Sequence, residues 1–241
     1  MSISSIAGYS FTGLNAFGLY LDTNSTYYII ESTSNKIFMF DENWNYLLNR
    51  TIPGPSHLIS SNNMIYISAF GNIFQTDKNL NIFLNYTCPY GGVNYAGIYH
   101  NATDNTVFAV SNFLTLIHIF DQNLTIIDSI NLSPYNPYSL EENNNKLYVG
   151  TSNSDIIMIQ NRTIICTFKI FNGIQAPVNS IKIDMNGYMA VVSSLNIAYL
   201  YNINGSYTGL CFAVPSTSMD INFDSKGRCI IVSTYQISIY I

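Results

Sequence analysis

Residues 118–128, HIFDQNLTIID, spell a short apolar strand, a polar turn and a second strand, and residues 38–48, FMFDENWNYLL, repeat that plan. Phe40-Asp41 and Phe120-Asp121 stand 80 positions apart, two turns of a period near 40. Aligning the chain on the apolar residue that closes a strand before a polar turn gives six segments: GLYLDTNSTYYII, HLISSNNMIYIS, GIYHNATDNTVFAV, SLEENNNKLYVG, SIKIDMNGYMAVV and DINFDSKGRCIIV. Their anchors are Leu21, Ile59, Tyr99, Leu140, Ile183 and Phe223, spaced by 38, 40, 41, 43 and 40 residues. A period of this size belongs to propellers, solenoids and arrays.

Each unit holds four short runs rich in β-branched and aromatic residues, parted by Asn, Ser, Gly and Asp, the pattern of a four-stranded antiparallel blade. In the fourth unit the strands are YSLEE, KLYVG, DIIMIQ and TIICTFKI. No window keeps a helical period, which sets helical repeats aside. The last unit stops at a third strand, ISIYI, while the opening ISSIAGYSF has no unit of its own. The sequence therefore predicts one all-β domain over residues 1–241, a six-bladed β-propeller closed by pairing residues 3–9 with 235–241. Such a ring hides the sheet edges an open array exposes.

Composition fits one domain with a large core: 241 residues, 48% hydrophobic and only 10% charged. Asn, Ser, Thr and Tyr must then hydrate the surface. The net charge is -5 and the nine Lys and Arg are scattered singly, so nucleic-acid binding, which needs a basic stripe, is not expected. No apolar run approaches the roughly 20 residues that span a bilayer, so no membrane insertion is expected. MSISSIAGYSF has neither a basic start nor a long apolar centre, and no signal peptide is expected in it. Cys88, Cys166, Cys211 and Cys229 lack C-x-x-C spacing and fall in different units, which predicts free, packed thiols and no zinc cluster.

Over essentially its full length the chain resembles the NHL-repeat family of six-bladed β-propellers. The resemblance rests on LDTNSTYYII, IDMNGYMAVV and FDSKGRCIIV and on the strand endings FMFDENWN and HIFDQNLT. The turns between second and third strands, ESTSNKI, TSNSDII and SSLNIA, replace the Asp and Arg customary in that family. The resemblance implies a channel lined by first strands, where zinc lyases of the family gather several histidines.

Here His57, in PGPSHLISS, is the one histidine on a first strand, and a catalytic zinc needs about three protein ligands. No cofactor and no metal are expected on that ground. His118 replaces an aromatic in a third strand, and His100 is expected in a solvated turn. Asp22, Asp184 and Asp224 follow their anchors, and Asp41 and Asp121 the next turn, where Asp bonds its own turn backbone. Glu141 and Glu142, in EENNN, are likewise expected in a solvated turn. No Ser-His-Asp, Cys-His or phosphate-loop pattern can be assembled.

Aromatics assigned to connectors, Phe70, Tyr90, Tyr95, Phe113, Tyr135 and Tyr138, are candidates for an uncharged contact surface. Sequons begin at Asn24, Asn49, Asn85, Asn101, Asn123, Asn131, Asn161 and Asn204. All but Asn131, whose sequon Pro134 follows, fall on one face of the disc or on its rim. The bare opposite face, with His57, Phe70, Tyr95, Phe113, Tyr135 and Tyr138, is then the expected binding face.

The function expected from these residues is a secreted or cell-surface, non-catalytic module binding a protein or glycan, glycosylated at Asn24, Asn49, Asn85, Asn101, Asn123, Asn161 and Asn204. Two alternatives stand beside it: a propeller hydrolase or lyase using His57 and a channel metal, and a self-assembling matrix or filament subunit.

Overall fold

The computed structural model describes residues 5–240 apart from 11–15, 23, 62, 171–174, 185, 194, 196, 216–217, 225–226 and 234–235. An outer strand, β1 (Ser5–Ser10), opens the chain. Blade one is β2 (Ala16–Leu21), β3 (Tyr27–Glu31), β4 (Lys36–Phe40) and β5 (Tyr46–Thr51); blade two is β6 (Pro55–Ser61), β7 (Met64–Ala69), β8 (Asn72–Asp77) and β9 (Ile82–Thr87). Blade three is β10 (Tyr95–Asn101), β11 (Thr106–Ser111), β12 (Leu116–Phe120) and β13 (Ile126–Asn131); blade four is β14 (Pro137–Asn143), β15 (Lys146–Thr151), β16 (Asp155–Gln160) and β17 (Thr163–Lys169). Blade five is β18 (Val178–Ile183), β19 (Tyr188–Ser193), β20 (Ile197–Asn202) and β21 (Tyr207–Ala213); blade six is β22 (Ser218–Phe223), β23 (Cys229–Ser233) and β24 (Gln236–Tyr240), completed by β1.

The predicted closure holds for the described residues: Ser5 pairs with Tyr240, Ala7 with Ile239 and Ser10 with Gln236, all antiparallel. Residues 3, 4, 235 and 241 of the expected pairing lie outside the described residues. Innermost strands touch in sequence, β2 to β6 and on to β22, and β22 returns to β2. Among the described residues, adjacent blades bury an apolar cluster at each of the six seams. Second strands supply much of this core: every residue of β3 and β23 is buried, whereas β9 is mostly exposed. Alternation is lost in such strands because both faces meet neighbouring blades.

One turn recurs six times. Asp22, Asp41, Asp77, Asp121, Asp184 and Asp224 each accept, on a side-chain oxygen, the N–H four residues on. Three residues after each Asp the backbone takes positive φ, at Ser25, Trp44, Leu80, Leu124, Gly187 and Gly227. That conformation costs a side-chain-bearing residue energy, which the Asp hydrogen bonds offset. The expected turn-building role of the five Asp residues is met, and Asp77 is a sixth that the sequence reading passed over.

A bulge also recurs, between first and second strands, and aligns the blades without ambiguity. Gly18, His57, Gly97, Ser139, Ser180 and Asp220 are equivalent, as are Tyr20, Ile59, Tyr99, Glu141, Lys182 and Asn222 two positions on. Against this frame the sequence anchors slip: Ile59 and Tyr99 stand one position short of Leu21, and Leu140 two. First strands β6 and β14 run past their last apolar anchor into polar residues, and β14 then turns tightly at Asn144 and Asn145, both at positive φ.

Candidate functional site

Antiparallel blades put first-to-second and third-to-fourth turns on one face of the disc. On that face the first strands end around a vestibule of about 250 Å³, walled by Tyr20, Ile59, Tyr99, Glu141, Glu142, Lys182, Asn222 and Phe223 among others. Below it the channel narrows to an enclosed throat of about 20 Å³, lined by His57, Ser139, Ser180, Lys182 and Asp220 with Leu and Ile side chains.

Lys182 donates to Glu141 Oε2 at 2.7 Å across the seam of blades four and five, and each side chain keeps about a fifth of its surface open. Burial raises the Glu141 carboxyl above the usual range, opposed by Lys182 and reinforced by the negative charges of Asp220 and Glu142. Burial alone would lower the Lys182 ammonium, but Glu141 and Asp220 together outweigh it and hold it above its ordinary value. The two shifts agree physically: Lys182 faces two carboxylates, whereas Glu141 faces one cation and two like charges. Tyr20, raised by burial, donates to the Ser60 carbonyl at 3.3 Å.

Asp220 works differently. It accepts the Leu19 N–H at 2.8 Å, the Ser180 hydroxyl at 2.5 Å and its own neighbour's N–H from Ile221 at 2.8 Å. One carboxylate thus ties blades five, six and one together.

His57 does lie in the channel, as expected. The residue is partly accessible, yet both ring nitrogens are shut off from solvent without a hydrogen-bond partner. Burial lowers its pKa, with Asp220 opposing, so the ring is neutral at pH 7. Among the described residues no group of three or more His, Cys, Asp or Glu side chains could hold a metal. The donors present do not fit a channel metal: Asp220 is taken up by three donors, and Lys182 places a cation in their midst.

The other candidates separate. Phe70 and Phe113 are exposed on the opposite face, at 59% and 65%, as is Tyr90, and Phe113 borders a recess with Asn94, Asn112 and Asn136. Tyr95 is a correction: far from lying in a connector, it begins β10 fully buried and donates or accepts at 2.8 Å with His118 Nδ1. Tyr135 packs into the seam of blades three and four, and Tyr138 is half-buried in β14. His118 is the buried aromatic substitute expected. His100 is no solvated turn residue but a buried strand residue stacked on Tyr66 with ring centroids 5.1 Å apart. Glu141 and Glu142 likewise belong to β14, and Glu141 to the channel. The sequon residues Asn24, Asn85, Asn123, Asn161 and Asn204 are exposed, and Asn49 and Asn101 half-exposed. Of the cysteines, Cys88 and Cys229 are buried and Cys166 and Cys211 exposed, all free, so only two are packed.

Lys182 and Asp220 went unremarked in the sequence, although a Lys and an Asp in first strands otherwise uncharged were the available signal. The polar vestibule also opens on the face carrying the sequons, opposite to the face expected to bind.

No family model and no curated protein sequence matches the chain. Solved structures do. A streptogramin B lyase superposes with a TM-score of 0.76 at 13% identity, covering 100% of this chain and 97% of that one. A virginiamycin B lyase from Staphylococcus aureus gives 0.73 at 15% identity, covering 96% and 82%. A catalytically inactive His-to-Ala form of that lyase with quinupristin gives 0.73 at 16%, with the same coverage. These neighbours are enzymes, which tells against the expectation of a non-catalytic module binding a protein or glycan. At such identities the likeness itself shows the architecture: this chain is a six-bladed β-propeller similar in fold to streptogramin B and virginiamycin B lyases.

Proposed function

We propose that the chain is a propeller lyase acting by proton abstraction in the vestibule. The observation that carries this reading is the Lys182–Glu141 contact of 2.7 Å in the vestibule wall, with the carboxyl made more basic by burial. A carboxylate of raised pKa is a better base near neutral pH, and an ammonium held protonated stabilises a developing oxyanion. Glu141 takes the proton from a carbon next to a substrate carbonyl, whose oxygen Lys182 holds. The carbon–hydrogen electron pair becomes a carbon–carbon double bond as the bond to a β-oxygen breaks. That oxygen leaves as a carboxylate, and the proton stays on Glu141. Substrates of this kind are β-acyloxy carbonyl compounds, including cyclic depsipeptides such as the quinupristin bound by a fold neighbour. Tyr20, Tyr99 and Asn222 line the same space and orient the substrate. We also read the repeat as a divergent NHL-type unit, supported by the six Asp turns.

The test is incubation with quinupristin and simple β-acyloxy esters, followed by mass spectrometry. Elimination opens a cyclic depsipeptide at unchanged mass and creates a conjugated alkene, whereas hydrolysis adds one water. Glu141→Gln is expected to lower kcat by about 100-fold or more, the usual scale of a general base. No conversion of any substrate, or conversion indifferent to Glu141→Gln, overturns the proposal.

A further inference from the structure

Between blades two and three, on the vestibule face but radially outside it, lies a second cavity of about 470 Å³. Its wall combines Tyr66, Phe83 and His100 with the carboxamides of Gln75, Asn105 and Gln122, and no Asp, Glu, Lys or Arg is among its described lining residues. Phe83 is 47% exposed and offers a ring at the cavity's edge. Apolar surface exceeds polar surface in the lining.

The hydrogen bonds fix what the polar groups present. Asn105 donates through Nδ2 to Gln122 Oε1 at 2.9 Å, so its Oδ1 faces His100 Nε2, also at 2.9 Å. Nε2 is thereby engaged by the Asn105 carboxamide. Nδ1 is buried and has no partner, on a side chain only 5% exposed. Gln75 spends one amide hydrogen on the Tyr66 hydroxyl at 3.1 Å, which leaves its carbonyl to accept.

We propose that this inter-blade cleft binds a neutral aromatic heterocycle of nucleoside size. The absence of charged lining matches an uncharged ligand, and the volume falls in the range of small-molecule sites. Carboxamides pair with adjacent donor and acceptor atoms on a heterocycle edge, as they do with nucleobases. The excess of apolar lining and the open Phe83 ring favour a flat ring over a polyol.

Saturation-transfer NMR with adenosine and inosine as probes, against methyl glucoside, tests this. Transfer to the base protons of at least one nucleoside is expected, with affinity falling about tenfold or more in Phe83→Ala, the scale of a lost stacking partner. His100→Phe keeps the stack on Tyr66 but removes the Nε2 contact that orients the Asn105 carboxamide, and is expected to weaken binding similarly. Glu141→Gln should leave nucleoside binding unchanged, which separates this site from the vestibule. Absence of transfer from both nucleosides, equal transfer from methyl glucoside, or wild-type affinity in Phe83→Ala overturns the assignment. Because Phe83 is a surface residue, that variant reports even if His100→Phe fails to fold.

Discussion

Lys182 Nζ and Glu141 Oε2 stand 2.7 Å apart across the seam of blades four and five, in the wall of the channel vestibule. Their strands are neighbours in the ring and the two residues occupy equivalent positions, so the blade repeat itself brings the charges together. Removing one partner strands the other. Lys182→Met should cost about 2–3 kcal/mol, below the 3–5 of a fully dry pair because both groups keep some solvent contact. The double variant Glu141→Leu with Lys182→Met should recover much of that loss, as read by urea denaturation of all forms.

Gly150 is packed so closely that a Cβ there would lie 2.4 Å from both Ser139 Oγ and Val178 Cγ1. The first belongs to the hydroxyl that donates to the Val178 carbonyl at 2.9 Å, joining blades four and five. Gly150→Ala should destabilise the fold by about 1–3 kcal/mol through overpacking, again by urea midpoint. Gly71→Ala, with open space around it but positive φ, should act through backbone strain alone and cost about 1 kcal/mol.

His57 and His118 both have pKa values lowered by burial. In the unfolded chain they titrate near 6.5, so below that pH the unfolded state binds protons the native state refuses. Their contribution makes stability fall as pH drops from 7 through the unfolded value. Glu141, raised, acts in the opposite sense above its unfolded pKa, so the test is a difference between proteins. The variant with His57→Leu and His118→Phe should lose less stability between pH 7 and 5 than the parent, measured by thermal melts in matched ionic strength. An equal loss in both would show that these rings titrate freely in the native state.

Native alkylation with iodoacetamide should add two groups, at Cys166 and Cys211 on exposed outer strands, and four after denaturation. Burial also raises the Cys229 thiol, which keeps it protonated and inert. Peptide mapping reads the sites directly.

Deleting residues 1–10 should leave β24 as an unpaired edge, lower the melting temperature and promote edge-to-edge association visible by light scattering. A truncated chain as stable and monomeric as the parent would place the closing interaction elsewhere.

The repeat, the blade count and the closing strand were legible because they are written locally: alternating apolar runs, Asp turns at fixed offsets, an orphan strand at the start and a unit one strand short at the end. The six Asp turns show why this works. Each is satisfied by its own next four residues, so local chemistry suffices. Trp44 sits in such a turn, and only the fold stacks it on Tyr27 at 4.2 Å.

The candidate site was not written that way. Glu141 follows Leu140 and, with Glu142, leads into three Asn, the composition of a turn, but the tight turn at Asn144 and Asn145 lets β14 run on and carries Glu141 into the channel. His100 looked solvated for the same reason, until β10 extended through it. Sequence alone determined that six units close into a ring, since strand period and turn chemistry are properties of neighbouring residues. Tertiary structure decided that Lys182 meets Glu141 from 41 residues away and that the ring nitrogens of His57 are sealed without a hydrogen-bond partner, because those contacts depend on the bulge-defined register between blades.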